Sequence, residues 1–139
     1  MARPPSTHPT DGELEILRVL WQRESASLGE ICETLRRERD VATTTVATML
    51  RVMHDKKLVR RKQAGRAAQW SAAVSREAAA RSMVGKLVDG VFDGSAGRLA
   101  THLVTGGKLT EHELRELRAL IDGAPKRTAI IAKTRRQGD

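Results

Sequence analysis

Apolar residues recur at helical spacing in six stretches of this chain, interrupted once by a different rhythm. Leu14, Leu17 and Trp21 fall at i, i+3, i+7, with Ile16 and Leu20 beside them, and Thr10 or Asp11 can cap the helix they predict. Leu28, Ile31, Cys32 and Leu35 give i, i+3, i+4, i+7. Ser27, with Glu30 three residues later, reads as a capping box ahead of them. The polar stretch "RRERDVA" follows, and then Val46, Met49, Leu50 and Met53 repeat the spacing in a third helix that begins near Thr43. Three short helices with one apolar face each must pack on one another.

The rhythm then changes. Leu58, Val59 and Trp70 are β-formers, and "QAGR" is a turn signal in which Gly65 suits a positive φ. A β-hairpin is predicted, with strands near 58–63 and 67–72. Helical spacing returns after Ser75, which can cap "REAAARSMVGKLVDGVF" with Ala80, Met83, Val84, Leu87 and Val91 on one side. "SAGRLATHLV" has Leu99 and Leu103 at i, i+4. In "LTEHELRELRALIDGAP", Thr110 and Glu113 form a capping box, Leu114, Leu117 and Ile121 give a stripe, and Gly123 and Pro125 supply the stop.

These elements divide the chain into a disordered arm over 1–9, a domain of three helices and a hairpin over 10–74, a helical region over 75–122 and a basic mobile tail over 123–139. The 48 residues of the helical region lie near the ~40-residue floor for independent folding. Its stripes need an outside partner, most simply a second copy of the chain. The expected dimerisation residues are Met83, Leu87, Val91, Leu99, Leu103, Leu114, Leu117 and Ile121.

Charge sharpens this division. Lysine and arginine outnumber acids 25 to 17, and the pI is about 10.5. The excess is +4 over residues 1–74, zero over 75–122 and +4 over 123–139. Such a footprint suits a polyanion. Trp21, Trp70 and Phe92 are the only aromatics of their kind, too few for stacking on single strands. Cys32 is the one cysteine, so no internal disulfide can form, which fits a reducing compartment. Its place on an apolar face suggests a core thiol. No apolar run approaches the ~20 residues of a membrane span, and "MARPPSTHPT" leads into no signal-peptide core. A cytoplasmic protein without membrane insertion is expected. His8, His54, His102 and His112 share no ligand spacing, and no glycine loop cradles a phosphate, so the expectation is no enzyme, no metal and no cofactor.

Three helices followed by a hairpin form the winged helix-turn-helix pattern, in which the last helix before the hairpin lies in the major groove. At 100° per residue, Val46, Met49, Leu50 and Met53 face the core. Thr44, Thr48, Arg51 and Asp55 point outward, with Thr45, Ala47 and Val52 on the flanks. Thr43 is a plausible N-cap. Threonine hydroxyls suit phosphates and base edges, and the methyl can touch thymine. Arg51 can reach phosphate or guanine, and Asp55 either meets Arg51 four residues earlier or points away. Arg60, Arg61, Lys62 and Arg66 fall within seven residues that contain no acid, which reads as a phosphate clamp on the wing.

The stretches "DGELEILRVLW", "VATTTVATMLRVMHDKKLVRRKQAGRAAQW" and "LTEHELRELRALI" resemble the BlaI/MecI (penicillinase repressor) family of bacterial transcriptional regulators. The likeness spans about residues 10–122, and "TTVATML" with "LVRR…GR…W" is its most specific part. It implies a mainly α fold with a small hairpin: a winged helix followed by a helical dimerisation region. It further implies homodimers that bind inverted-repeat operators on double-stranded DNA and repress β-lactamase or related genes. By resemblance, Thr44, Thr45, Ala47 and Thr48 read the DNA, with Thr43 beside them and Arg51 and the wing on the backbone. A membrane sensor protease triggers cleavage of some members at an Asn–Phe bond, and the matching positions here are His102 and Leu103. A glycine common after the third helix is Lys57 here, and the tail lacks the cysteine cluster of copper-responsive relatives. Two functions are therefore expected in order: a dimeric sequence-specific repressor, or a winged-helix adapter for another protein with only non-specific DNA affinity.

Overall fold

The computed structural model describes residues 8–124, so residues 1–7 of the expected arm and 125–139 of the expected tail lie outside the described residues. The elements are α1 (Asp11–Arg23), α2 (Leu28–Leu35), α3 (Thr43–Asp55), β1 (Val59–Ala64), β2 (Ala67–Ala72), α4 (Arg76–Val91), α5 (Ala96–Thr105) and α6 (Glu111–Asp122). This is the predicted mainly helical fold with one hairpin, a winged helix followed by helices.

Local chemistry accounts for most of the helix starts. Thr10 with Glu13, Ser27 with Glu30, and Thr110 with Glu113 close capping boxes on α1, α2 and α6. The Ser27 backbone N–H, donated to Glu30, holds that carboxyl below its ordinary value. Ser75 and Ser95 accept from backbone N–H groups at the starts of α4 and α5. The exception is α3, whose N-cap is Ala42 and which has no side-chain cap. The expectation that Thr43 caps it is corrected: Thr43 is already helical, and its Oγ1 accepts from Arg36 Nη2 at 2.6 Å.

The end of α3 is equally specific. Lys57 N–H donates to His54 O and Leu58 N–H to Met53 O, at 3.0 and 2.9 Å, the two bonds of a Schellman ending. Lys57 sits at φ 66°, the left-handed region that favours glycine. Here a lysine accepts a backbone conformation that glycine adopts without a Cβ penalty.

The hairpin pairs β1 with β2 antiparallel from Val59↔Ala72 to Ala64↔Ala67. Its two-residue turn, Gly65–Arg66, has φ 64° at glycine and no positive φ at arginine, a type II′ arrangement. Ala26 adds a bridge to Trp70, with mutual backbone bonds of 2.9 and 2.8 Å.

The chain divides into two compact units, Met1–Leu87 and Val88–Asp139. In the first, Ile16, Leu17, Leu20, Ile31, Cys32, Val46, Leu50 and Met53 form the centre of one core, and Leu58 and Val59 close it from the hairpin. Each such side chain contributes roughly 1.5–3 kcal/mol by leaving water. Cys32 is buried there as expected. The unit also holds most of α4, as far as Leu87. Trp21 Nε1 donates to Val74 O at 2.9 Å, the Arg76 guanidinium lies 5.0 Å from the Trp21 ring, and Ala79 is buried. His8 Nδ1 bonds the Ser82 hydroxyl and Pro9 is buried just ahead of α1. In the second unit α5 and α6 contain no buried residue. No described helix is long and apolar enough to cross a membrane.

Candidate nucleic-acid interface

Packing leaves one face of α3 open. Val46, Leu50 and Met53 are buried, Ala47 and Met49 are half-buried, and Thr43, Thr44, Thr45, Thr48, Arg51, Val52, His54 and Asp55 are exposed. The outward set expected from helical phase therefore stands on one surface. Asp55 forms no ion pair with Arg51 or with any other described cation.

Two structural devices hold this helix. At its start, Arg36 donates through Nε to Val41 O at 3.0 Å and through Nη2 to Thr43, tying the polar turn to the first helical residue. At its end, Lys56 Nζ meets Glu13 Oε1 at 2.7 Å, with both side chains buried. The same carboxylate oxygen also accepts the Thr10 N–H at 2.9 Å. A buried charge pair is tolerated when further hydrogen bonds complete it. Lys56 is thereby spent inside the protein and takes no part in the exposed surface.

The wing sorts its cations by face. Paired residues share a face of the ladder, so Arg61 lies with Trp70, while Arg60 and Lys62 lie on the opposite side. The Arg61 guanidinium is 5.8 Å from the Trp70 ring, and the His54 ring meets Trp70 edge-on at 6.3 Å. Leu28, Ala47, Arg51, His54, Arg61 and Trp70 line an open cleft between α3 and the wing. Arg60, Arg61, Lys62 and Arg66 are all exposed, and none forms an ion pair among the described residues. Three other cations of this unit, Arg23, Arg39 and Lys56, are neutralised by Glu30, Glu15 and Glu13. The wing thus presents four exposed cations within seven residues, with Arg51 of α3 also exposed. They are not the unit's only unpaired cations, since Arg18, Arg37, Lys57, Arg81 and Lys86 also form no ion pair among the described residues.

Sequence reasoning missed three members of this arrangement. His54 stands three residues after Arg51, a spacing that helical phase alone could have flagged. Trp70 was legible as a strand residue but not as the support of Arg61 and His54, and Arg36 gave no signal because its partners depend on the turn.

A family model described as the penicillinase repressor matches residues 9–123. The chain belongs to this family. The family is one of DNA-binding repressors rather than enzymes. The chain is similar to the methicillin resistance regulatory protein MecI of Mammaliicoccus sciuri, 22% identical over 113 residues covering 81% of this chain and 92% of MecI. It is 17% identical over 115 residues to the penicillinase repressor of Staphylococcus aureus, covering 83% of this chain and 91% of that repressor. Among solved structures, the DNA-binding domain of the repressor BlaI matches with a TM-score of 0.47 at 22% identity, over 53% of this chain and 90% of that one.

The expected dimerisation residues of this family member are distributed unevenly. Met83 and Leu99 are half-buried, whereas Leu87, Val91, Leu103, Leu114, Leu117 and Ile121 are exposed large apolar side chains. His102 and Leu103, the expected cleavage region, lie inside α5, where the His102 ring meets Phe92 at 5.8 Å.

Proposed function

We propose that this protein is a dimeric, sequence-specific transcriptional repressor that binds an inverted-repeat operator. Each protomer lays α3 in the major groove, where Thr44, Thr45, Ala47 and Thr48 meet base edges with Thr43 beside them, and Arg51 meets the DNA backbone. The wing sets Arg60, Arg61, Lys62 and Arg66 against phosphates. The observation that carries this reading is the exposed threonine face of α3 beside a wing whose cations have no acidic partner among the described residues. The exposed apolar residues from Leu87 to Ile121 support a second copy as partner, because among the described residues their stripes find no cover. By family membership, genes of β-lactam resistance or a related stress response are the proposed targets.

The test is a titration of the full chain at several salt concentrations, on duplexes selected from a random pool. A specific repressor prefers its site roughly 10³-fold or more over random DNA, and loss of that preference favours the adapter reading. Arg66→Ala should weaken binding to every duplex and reduce the salt slope by about one. An unchanged slope excludes Arg66 from phosphate contact. Sedimentation of the full chain should show a dimer that Leu117→Asp converts to monomer. A wild-type monomer at micromolar concentration contradicts the dimer.

A further inference from the structure

The threonines of α3 differ in what their hydroxyls can still do. Thr43 Oγ1 accepts from Arg36 Nη2, which leaves its own hydrogen free. The Thr44 and Thr45 hydroxyls bond nothing among the described residues and can turn to donate or accept. Thr48 is different again. Its Oγ1 donates to the Thr44 carbonyl one turn earlier at 2.9 Å. Its hydrogen is committed in that bond, and what the exposed hydroxyl has left to offer is its oxygen lone pairs.

We infer that Thr48 is a specificity-determining residue that meets DNA as a hydrogen-bond acceptor. It selects a base whose major-groove edge offers an exocyclic amino group, adenine N6 or cytosine N4, and disfavours guanine at that position. The chemistry follows from the groove code. Guanine presents only acceptors, O6 and N7, which face the Thr48 lone pairs without a hydrogen between them. Adenine and cytosine present a donor that the lone pairs can take. A hydroxyl that turned to donate to guanine would give up its bond to the Thr44 carbonyl, exchanging one hydrogen bond for another and gaining little. Thr44 and Thr45 carry no such bias, because their hydroxyls are free to follow the edge they meet. This assignment rests on reading α3 as the recognition helix.

The experiment uses the full chain and Thr48→Val, which keeps the shape and removes the hydroxyl, on the selected duplex and on base-analogue versions of it. Each half-site adenine is replaced in turn by purine and each cytosine by 2-pyrimidinone, which removes the amino group. Each guanine is replaced by 7-deazaguanine, which removes an acceptor. On the selected duplex Thr48→Val should bind roughly fivefold more weakly. At one position, loss of the amino group should cost the wild type a similar factor and cost Thr48→Val nothing further. Thr48→Ser, which retains the hydroxyl, should keep the wild-type sensitivity there. Coupling of Thr48→Val to 7-deazaguanine instead, or to no base at all, overturns the acceptor assignment and leaves the recognition helix standing. A wild-type chain with no preference for the selected duplex fails at the earlier step, and the placement of α3 falls with it.

Discussion

α3 and α6 have nearly the same length, 13 and 12 residues, and both carry apolar residues at helical spacing, yet α3 buries Val46, Leu50 and Met53 while α6 buries nothing. The difference lies in what surrounds them. α3 packs against α1, α2 and β1, so its stripe meets three other apolar surfaces. α6 keeps Leu120 and Ile121 about 70% exposed, at 69% and 73%. Helical period states only that a face is apolar. The partner is a separate fact, and in one half of this protein it is the same chain.

The largest expected contrast is between truncations of these two stripes. Leu50→Ala should cost about 2–5 kcal/mol of unfolding free energy through the cavity it leaves. Ile121→Ala should cost less than ~0.5 kcal/mol in denaturant at dilutions where the chain is monomeric, and should instead weaken self-association in sedimentation. Equal losses of intrinsic stability would show that α6 is covered within the monomer.

A somewhat smaller effect is expected where charge rather than apolar area secures α3. Lys56→Met should lower stability by about 3 kcal/mol, because it leaves Glu13 buried without its counter-ion. Urea unfolding of Lys56→Met beside Glu13→Gln/Lys56→Met measures this. The double variant should recover part of the loss, and no recovery would mean that packing, not the uncompensated carboxylate, sets the cost.

The smallest effect runs the other way. Lys57→Gly should stabilise the first unit by about 1 kcal/mol, since glycine adopts the positive φ without the Cβ penalty. Thermal unfolding reads this as a rise in Tm, and a fall would show that the Lys57 side chain contributes more than its backbone costs. A glycine introduced at Lys86, inside the helical stretch of α4, should be destabilising by a similar amount.

The parts of the site that were legible in the sequence are those governed by spacing within one element. The phase of Val46, Leu50 and Met53 sorted Thr44, Thr48 and Arg51 to the outside, and the structure has them exposed. Wing alternation was equally available, but its consequence was not: that Arg61 lies over Trp70 depends on the register Arg61↔Trp70. In α4 the predicted stripe included Ala80, whereas the residue that the winged helix buries is its neighbour Ala79. The spacing described the face toward Val84, Leu87 and Val91, and a different face meets Trp21's neighbourhood.

The sequence by itself determined where helices begin, because Thr10, Ser27 and Thr110 act on N–H groups three residues away, and where the hairpin turns, because Gly65 tolerates its φ. It also determined the surplus of positive charge. Tertiary structure alone decided which charges remain available and what Thr43 does. Lys56 is neutralised by a glutamate 43 residues away, and Thr43 is engaged by an arginine across the turn instead of capping its own helix. Those partners are fixed by packing between elements, which no periodicity within a single element encodes.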